Sequence, residues 1–177
     1  MRAFILAAVG AALLAGCSGG QIETGPEPLP ANDDSATFLN ALADEPTVSE
    51  DQALQGILLM IDGADTNASF DGRVSALRQR GIAPGDWDFA QSRPLTRGRL
   101  AYMAYQAAGM DGGVITALAG PSQRYCLREM EYRKMMAPGP GYVPVTGMEY
   151  VAVLSRAHAW MTTGEVPIVL QPSQSEP

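Results

Sequence analysis

The sequence predicts an all-α fold, a compact helical domain of about three helix-loop-helix units, on three observations. Helix starts recur at Ser49, Thr96 and Thr146, 47 and 50 residues apart. Each follows an aliphatic residue (Val48, Leu95, Val145) and opens a run of helical apolar spacing. Helical stretches at 74–77 and 126–130 both run into the triplet Ala-Pro-Gly, at 83–85 and 137–139.

The elements follow in order. A short helix at 36–42 precedes the Ser49 start, where Ser49 and Gln52 fit the capping box, each side chain satisfying the other's backbone N–H. Behind it Ala53, Leu54, Ile57, Leu58 and Ile61 form one apolar face. After the Thr96 start the face is Leu100, Met103, Ala104 and Ala107; after Thr146, which fits a box with Glu149, it is Val151, Leu154, Ala157 and Met161. Proline and glycine in each Ala-Pro-Gly end the preceding helix and turn the chain. The units run over 36–62, 71–109 and 122–162, with an extra helical turn at 114–118. Only 166–170 reads as strand. The methionines Met130, Met135, Met136, Met148 and Met161 are expected to fill the core.

Around this domain (36–162) lie three other segments. Residues 1–16 have the features of a leader: Arg2 supplies a positive start, the apolar run at 3–13 is short for a permanent span, and small residues precede Cys17. Residues 17–35, with Pro26, Pro28 and Pro30 among acidic and small residues, read as a tether, and 163–177 as a disordered tail. With Cys17 modified only Cys126 remains, so no disulfide within the chain is expected.

The net charge of −7 is unevenly placed. Eleven acidic residues and no Lys or Arg lie between Cys17 and Gly72, whereas 73–134 holds ten basic residues against five acidic ones. Two readings are open, a surface for anionic partners or neutralisation of one part of the chain by the other. Trp87 and Phe89, in an insertion at 86–94, are equally open: they stack on a sugar face or cover the core between units two and three.

Other candidates are weaker. The loop at 62–67 lacks calcium-loop spacing and reads as a solvated helix exit. Glu129 and Glu131 face different directions on a helix, which does not make an acid and base pair, and Ser122 or Ser155 with His158 lacks a third group. His158 and Trp160 read as a packing edge. No enzyme, cofactor, metal or nucleic-acid partner is expected from this pattern.

The run Leu14-Ala15-Gly16-Cys17 resembles the lipobox of bacterial lipoproteins. The resemblance implies diacylglyceryl on the Cys17 sulfur, cleavage before Cys17 and a membrane-anchored chain on the extracytoplasmic side. Ser18 favours the outer membrane in a host with two. Acyl chains hold by roughly 0.8 kcal/mol per buried methylene, so two or more give stable attachment.

Residues 74–82 (Val-Ser-Ala-Leu-Arg-Gln-Arg-Gly-Ile), with Phe89, Arg93-Pro94 and the stretch from Leu95 to Ala101, resemble the S-layer homology domain, a helical cluster of three such units. The family's Thr-Arg-Ala-Glu helix start is matched at Thr96 and Arg97, with Gly98 and Arg99 departing from it. The other two units, Ser49-Glu50-Asp51-Gln52 and Thr146-Gly147-Met148-Glu149, lack the arginine. In the family the motif arginines help bind pyruvylated wall polysaccharide. The resemblance therefore implies a non-enzymatic module that binds an anionic envelope polymer through Arg97 and Arg99 beside Thr96, with Arg93 and Trp87 in the same groove. Free N–H groups at the helix start and an exposed guanidinium suit a carboxylate. A protein partner in an envelope assembly is the other expectation.

Overall fold

The computed structural model describes residues 33–111 and 120–166. The leader, Cys17, the tether to residue 32, the turn expected at 114–118, and residues 167–177 lie outside the described residues. Six helices make up the described part: α1 (Asp33–Ala43), α2 (Glu50–Asp62), α3 (Phe70–Gln79), α4 (Arg97–Ala107), α5 (Gln123–Tyr132) and α6 (Gly147–Thr163). No strand occurs among the described residues, only two isolated bridges, Ser49 with Pro94 and Thr96 with Pro144. No described helix is long and apolar enough to cross a membrane.

The predicted recurrence has a physical basis in a ring of backbone hydrogen bonds. Leu95 N–H donates to Val48 O at 2.8 Å, Val145 N–H to Leu95 O at 2.9 Å, and Val48 N–H to Val145 O at 3.0 Å. The three aliphatic residues before the helix starts thus close a triangle, and all three are fully buried. One step on, the first helical N–H of each inner helix is also taken: Glu50 donates to Arg93 O, Arg97 to Val143 O, and Gly147 to Glu45 O, at 2.8 to 3.0 Å. These bonds satisfy donors that a helix start leaves open, and they join α2, α4 and α6 into a central three-helix cluster with approximate threefold symmetry.

The helices pair differently from the predicted units. α3 packs on α2, α5 on α4, and α1 on α6, whereas α3 makes no packing contact with α4. The first outer helix therefore completes the last inner one, and the first and last described helices are tied together. Gly147 permits this closure, because a Cβ there would stand 1.7 Å from Leu42 O.

The caps also differ in part. Ser49 and Gln52 form the full box, with Ser49 N–H to Gln52 Oε1 at 2.8 Å and Gln52 N–H to Ser49 Oγ at 3.3 Å. Thr146 accepts from Glu149 N–H, but the Glu149 carboxylate accepts from Arg97 instead of returning to Thr146. Thr96 makes no side-chain cap; α4 is started by the backbone of residues 141–143, with Gly98 N–H donating to Gly141 O at 2.8 Å. Ser69 and Ser122 are caps as well, of α3 and α5.

The Ala-Pro-Gly triplets are not what ends α3 and α5. Both helices stop earlier, at Gln79 and Tyr132, and turn through residues with positive φ, Gly81 (70°) and Lys134 (61°). Ile82 and Ala83 then donate back to Leu77 O, as Met135 and Met136 do to Met130 O. Ala83 corresponds to Met136, so the two triplets stand one residue out of register.

The core is continuous through the three units, and Tyr150 lies at its centre, fully buried, donating to Ala53 O at 2.6 Å. Met130, Met135 and Met136 are buried as expected, but Met148 (71% exposed) and Met161 are at the surface. His158 is buried, with Nδ1 lacking a hydrogen-bond partner, and Trp160 is half-buried with the Arg133 guanidinium 4.5 Å from its ring centre.

Candidate functional site

The ring juxtaposes the helix starts so that the third residue of one start meets the first residue of the preceding one. Glu149, third in α6, accepts from Nε of Arg97, first in α4, at 2.8 Å. Arg99, third in α4, donates through Nη1 to Glu50, first in α2. The same contact is made twice with the charges reversed. At the remaining junction the first residue is Gly147, which has no side chain, and Gln52 turns back to its own cap.

The junction of α2 and α4 is filled. Glu50 is 1% exposed, and its carboxylate accepts from Arg93 Nε and Nη2, both at 3.0 Å, from Arg99, and from Ala90 N–H at 2.8 Å. Hydrogen bonds that it donates to Glu50 hold the Arg93 guanidinium above its ordinary pKa. Above this cluster Trp87 lies 5.1 Å from Tyr102 and 5.9 Å from Phe89 between ring centres, and the Arg99 guanidinium sits 5.0 Å over the Trp87 ring. Trp87 and Phe89 pack against the core here, over Arg99 and Tyr102 of α4 and beside Arg78 of α3, which is the covering role of the two open to them, within the second unit and not between units two and three.

Charge follows the neutralisation reading. Arg73 bridges Asp51 and Asp65, Arg80 meets Asp62, and Arg93 and Arg99 meet Glu50, so basic residues of the middle are matched to acids of the first third. Asp65 is not a solvated helix exit. Burial would raise its carboxyl, but hydrogen bonds from Arg73 and Asn67 outweigh that and hold it below the ordinary 3.8. Glu129 and Glu131 are likewise used in the fold, the first by Arg133 Nε and the second by Gly139 N–H.

The junction of α4 and α6 is open. A cleft of about 380 Å³ lies there, lined by Arg97, Met136, Pro138, Glu149, Val153 and Arg156 among others. Arg97 is 6% exposed, so the expectation of an exposed guanidinium is corrected: it is held from the side by Glu149 and donates through Nη2 to Ala137 O. Gly139 makes this fit possible, since a Cβ there would stand 1.9 Å from Arg97 Nη1. Arg156 donates through Nη1 to Met135 O at 2.9 Å. The lining holds two guanidiniums, one of them paired with the single carboxylate of Glu149, so it is net positive, with Met136, Pro138 and Val153 as apolar walls. Such a lining suits a small ligand bearing a carboxylate.

The five predicted binding residues thus divide. Arg93, Arg99 and Trp87 belong to the filled junction and Arg97 to the open one, because the first and third residues of one helix start point into different junctions of the ring; Thr96 lies between, joined to Pro144 by a bridge. The backbone N–H groups of Arg97 and Gly98 are taken by Val143 O and Gly141 O, so that helix start offers them to no ligand. Sequence reasoning missed Glu50, Gly139, Glu149 as a partner, and Arg156. Aligning the three starts by position exposes Glu50 and Glu149 as complements of Arg99 and Arg97; nothing in the sequence marks Arg156. Among the described residues no group of His, Cys, Asp and Glu is arranged to hold a metal ion. No protein-family model matches the chain, and no curated protein or solved structure is significantly similar to it.

Proposed function

We propose that this chain is a lipid-anchored, non-enzymatic binding module of the bacterial cell envelope, and that its cleft between α4 and α6 takes an acidic group of an envelope polymer. The observation carrying this reading is the open junction, whose lining includes Arg97, Arg156 and a single carboxylate, Glu149. The equivalent junction of α2 and α4 is occupied by the Glu50 cluster, with Trp87 and Phe89 packed over its Arg99. A guanidinium already oriented by Glu149 and Ala137 loses little freedom when a ligand arrives, which favours binding. Anchoring is read from the leader and Cys17, whose acyl chains would hold the domain at an extracytoplasmic membrane face.

Two experiments test the parts separately. Fractionation of cells carrying Cys17→Ala should find the protein released or mislocalised; unchanged membrane partitioning would refute the anchor. Sedimentation with purified wall or outer-envelope glycan should show salt-sensitive binding that Arg156→Gln weakens. Absence of binding at low salt transfers the function to the second reading, a protein partner in an envelope assembly. That reading has its own support in the exposed apolar side chains Tyr132, Tyr142, Val143 and Met148.

A further inference from the structure

The outer helix α5 carries a charge pattern that the fold does not use. Its two carboxylates are both engaged, Glu129 with Arg133 and Glu131 with Gly139 N–H. Arg124 and Arg128, one turn apart, and Lys134 just beyond the helix end are exposed and pair with no carboxylate among the described residues. Tyr132 continues the same stripe one turn after Arg128 and is 81% exposed. Tyr142, equally exposed, stands beside the first half of α5, because the adjoining Gly141 packs on Leu127 and next to Gly98, itself against Gln123.

Lys134 adds an independent observation. It takes a left-handed backbone conformation (φ 61°) at the position where the matching turn after α3 has Gly81 (φ 70°). Glycine suits that conformation, and a side chain there costs stability. A left-handed non-glycine residue at a surface turn directs attention to what its side chain does there.

We propose that this face, formed by Arg124, Arg128, Tyr132, Lys134 and Tyr142, lies on an anionic membrane surface and orients the anchored domain. The proposal rests on the reading that Cys17 is acylated. Charge complementarity selects the occupant: on a chain of net charge −7 this stretch carries three cations that form no ion pair among the described residues, against the single carboxylate of Glu131, whose bond to Gly139 N–H leaves its charge in place, so the face stays net positive. The face is the convex outside of an outer helix, so it fits a plane better than a polymer strand, and tyrosine rings settle at headgroup level. Fewer than twenty residues lie between Cys17 and α1, a span of at most about 60 Å, so an acylated Cys17 keeps the domain near the bilayer. Tethering at that range raises the local concentration so that modest contacts suffice.

The test uses the processed chain from residue 17 onward carrying Cys17→Ser, so that neither leader nor acyl chain contributes, sedimented with vesicles of phosphatidylcholine alone or mixed equally with phosphatidylglycerol. The protein should prefer the anionic vesicles and leave them in high salt. The combined variant Arg124→Gln, Arg128→Gln, Lys134→Gly, its fold verified by circular dichroism, should bind them roughly a hundredfold more weakly. Lys134→Gly alone should raise the melting temperature while weakening vesicle binding. Equal binding to both vesicle types, or unchanged binding by the combined variant, overturns the proposal; so does loss of glycan binding alone in that variant. Arg156→Gln, which probes the cleft, should leave vesicle binding intact, so failure of the cleft reading and failure of this one are separable.

Discussion

Arg97 and Glu149 meet at 2.8 Å between the first residue of α4 and the third residue of α6, and Glu50 and Arg99 meet at the corresponding positions of α2 and α4 with the charges exchanged. The junctions of the ring therefore share a geometry but not a sign, and each pair ties neighbouring units together at a buried site. Removing one partner of a buried pair leaves the other uncompensated, which costs more than the pair itself contributes.

The exchanged charges predict the outcome of a swap. Arg97→Glu alone places two carboxylates together and should unfold the protein at markedly lower temperature, as should Glu149→Arg alone. The double variant reproduces the order found between Glu50 and Arg99 and should recover part of the loss, with a coupling of about 0.5 to 3 kcal/mol. Thermal denaturation of the four proteins checks this, and additive losses would contradict it.

Glu50 is the most heavily used carboxylate of the fold. Glu50→Ala removes the carboxylate shared by Arg93 and Arg99, leaving Asp88 alone to receive both, and leaves Ala90 N–H unpaired, so a loss of about 3 to 5 kcal/mol is expected in urea denaturation. A loss below about 1 kcal/mol, the range of exposed pairs, would show that solvent replaces it.

Closure of the ring by α1 depends on Gly147. Gly147→Ala directs a methyl group into the Leu42 carbonyl and should displace the end of α1, exposing Leu39 and Leu42, both buried in the intact fold. Faster amide exchange in α1 with α3 and α5 unchanged is the expected signature; uniform protection across the domain would contradict it.

Burial pushes the Cys126 thiol up to about 11, from an ordinary 9.0. The unfolded thiol ionises first as pH rises, so the contribution is constant below pH 9 and stability then declines towards 11. Iodoacetamide should label Cys126 at neutral pH only in denaturant. Rapid labelling of the folded protein would place the thiol at the surface.

Much of the fold was legible because helix starts carry local signals. Ser49 with Gln52, the aliphatic residues Val48, Leu95 and Val145, and the apolar spacing behind them are short-range features, and they locate α2, α4 and α6. Pairing was not legible, since the α1 to α6 contact depends on a missing Cβ at Gly147, and periodicity cannot report which helix fills that space. The turns after α3 and α5 misled for a related reason. Ala-Pro-Gly is conspicuous in sequence, but the backbone reverses earlier, at Gly81 and at Lys134, a residue that gives no turn signal. At the site, Arg97 was recognisable by its place after Thr96, whereas its burial comes from Glu149 and Gly139, and Arg156 reaches the cleft only through the packing of α6 on α4.

The most direct measurement is calorimetric titration of acidic oligosaccharides, released from envelope glycan, into the wild type and Arg156→Gln. Arg97 is too buried to serve as a clean probe, since its loss is felt by the fold, whereas the half-buried Arg156 lines the cleft without joining the core. Binding that saturates at one site per chain, weakens at least tenfold in Arg156→Gln and strengthens as salt is lowered is the predicted result. Identical binding by the two proteins, or none by the wild type at low salt, would contradict the assignment of the cleft.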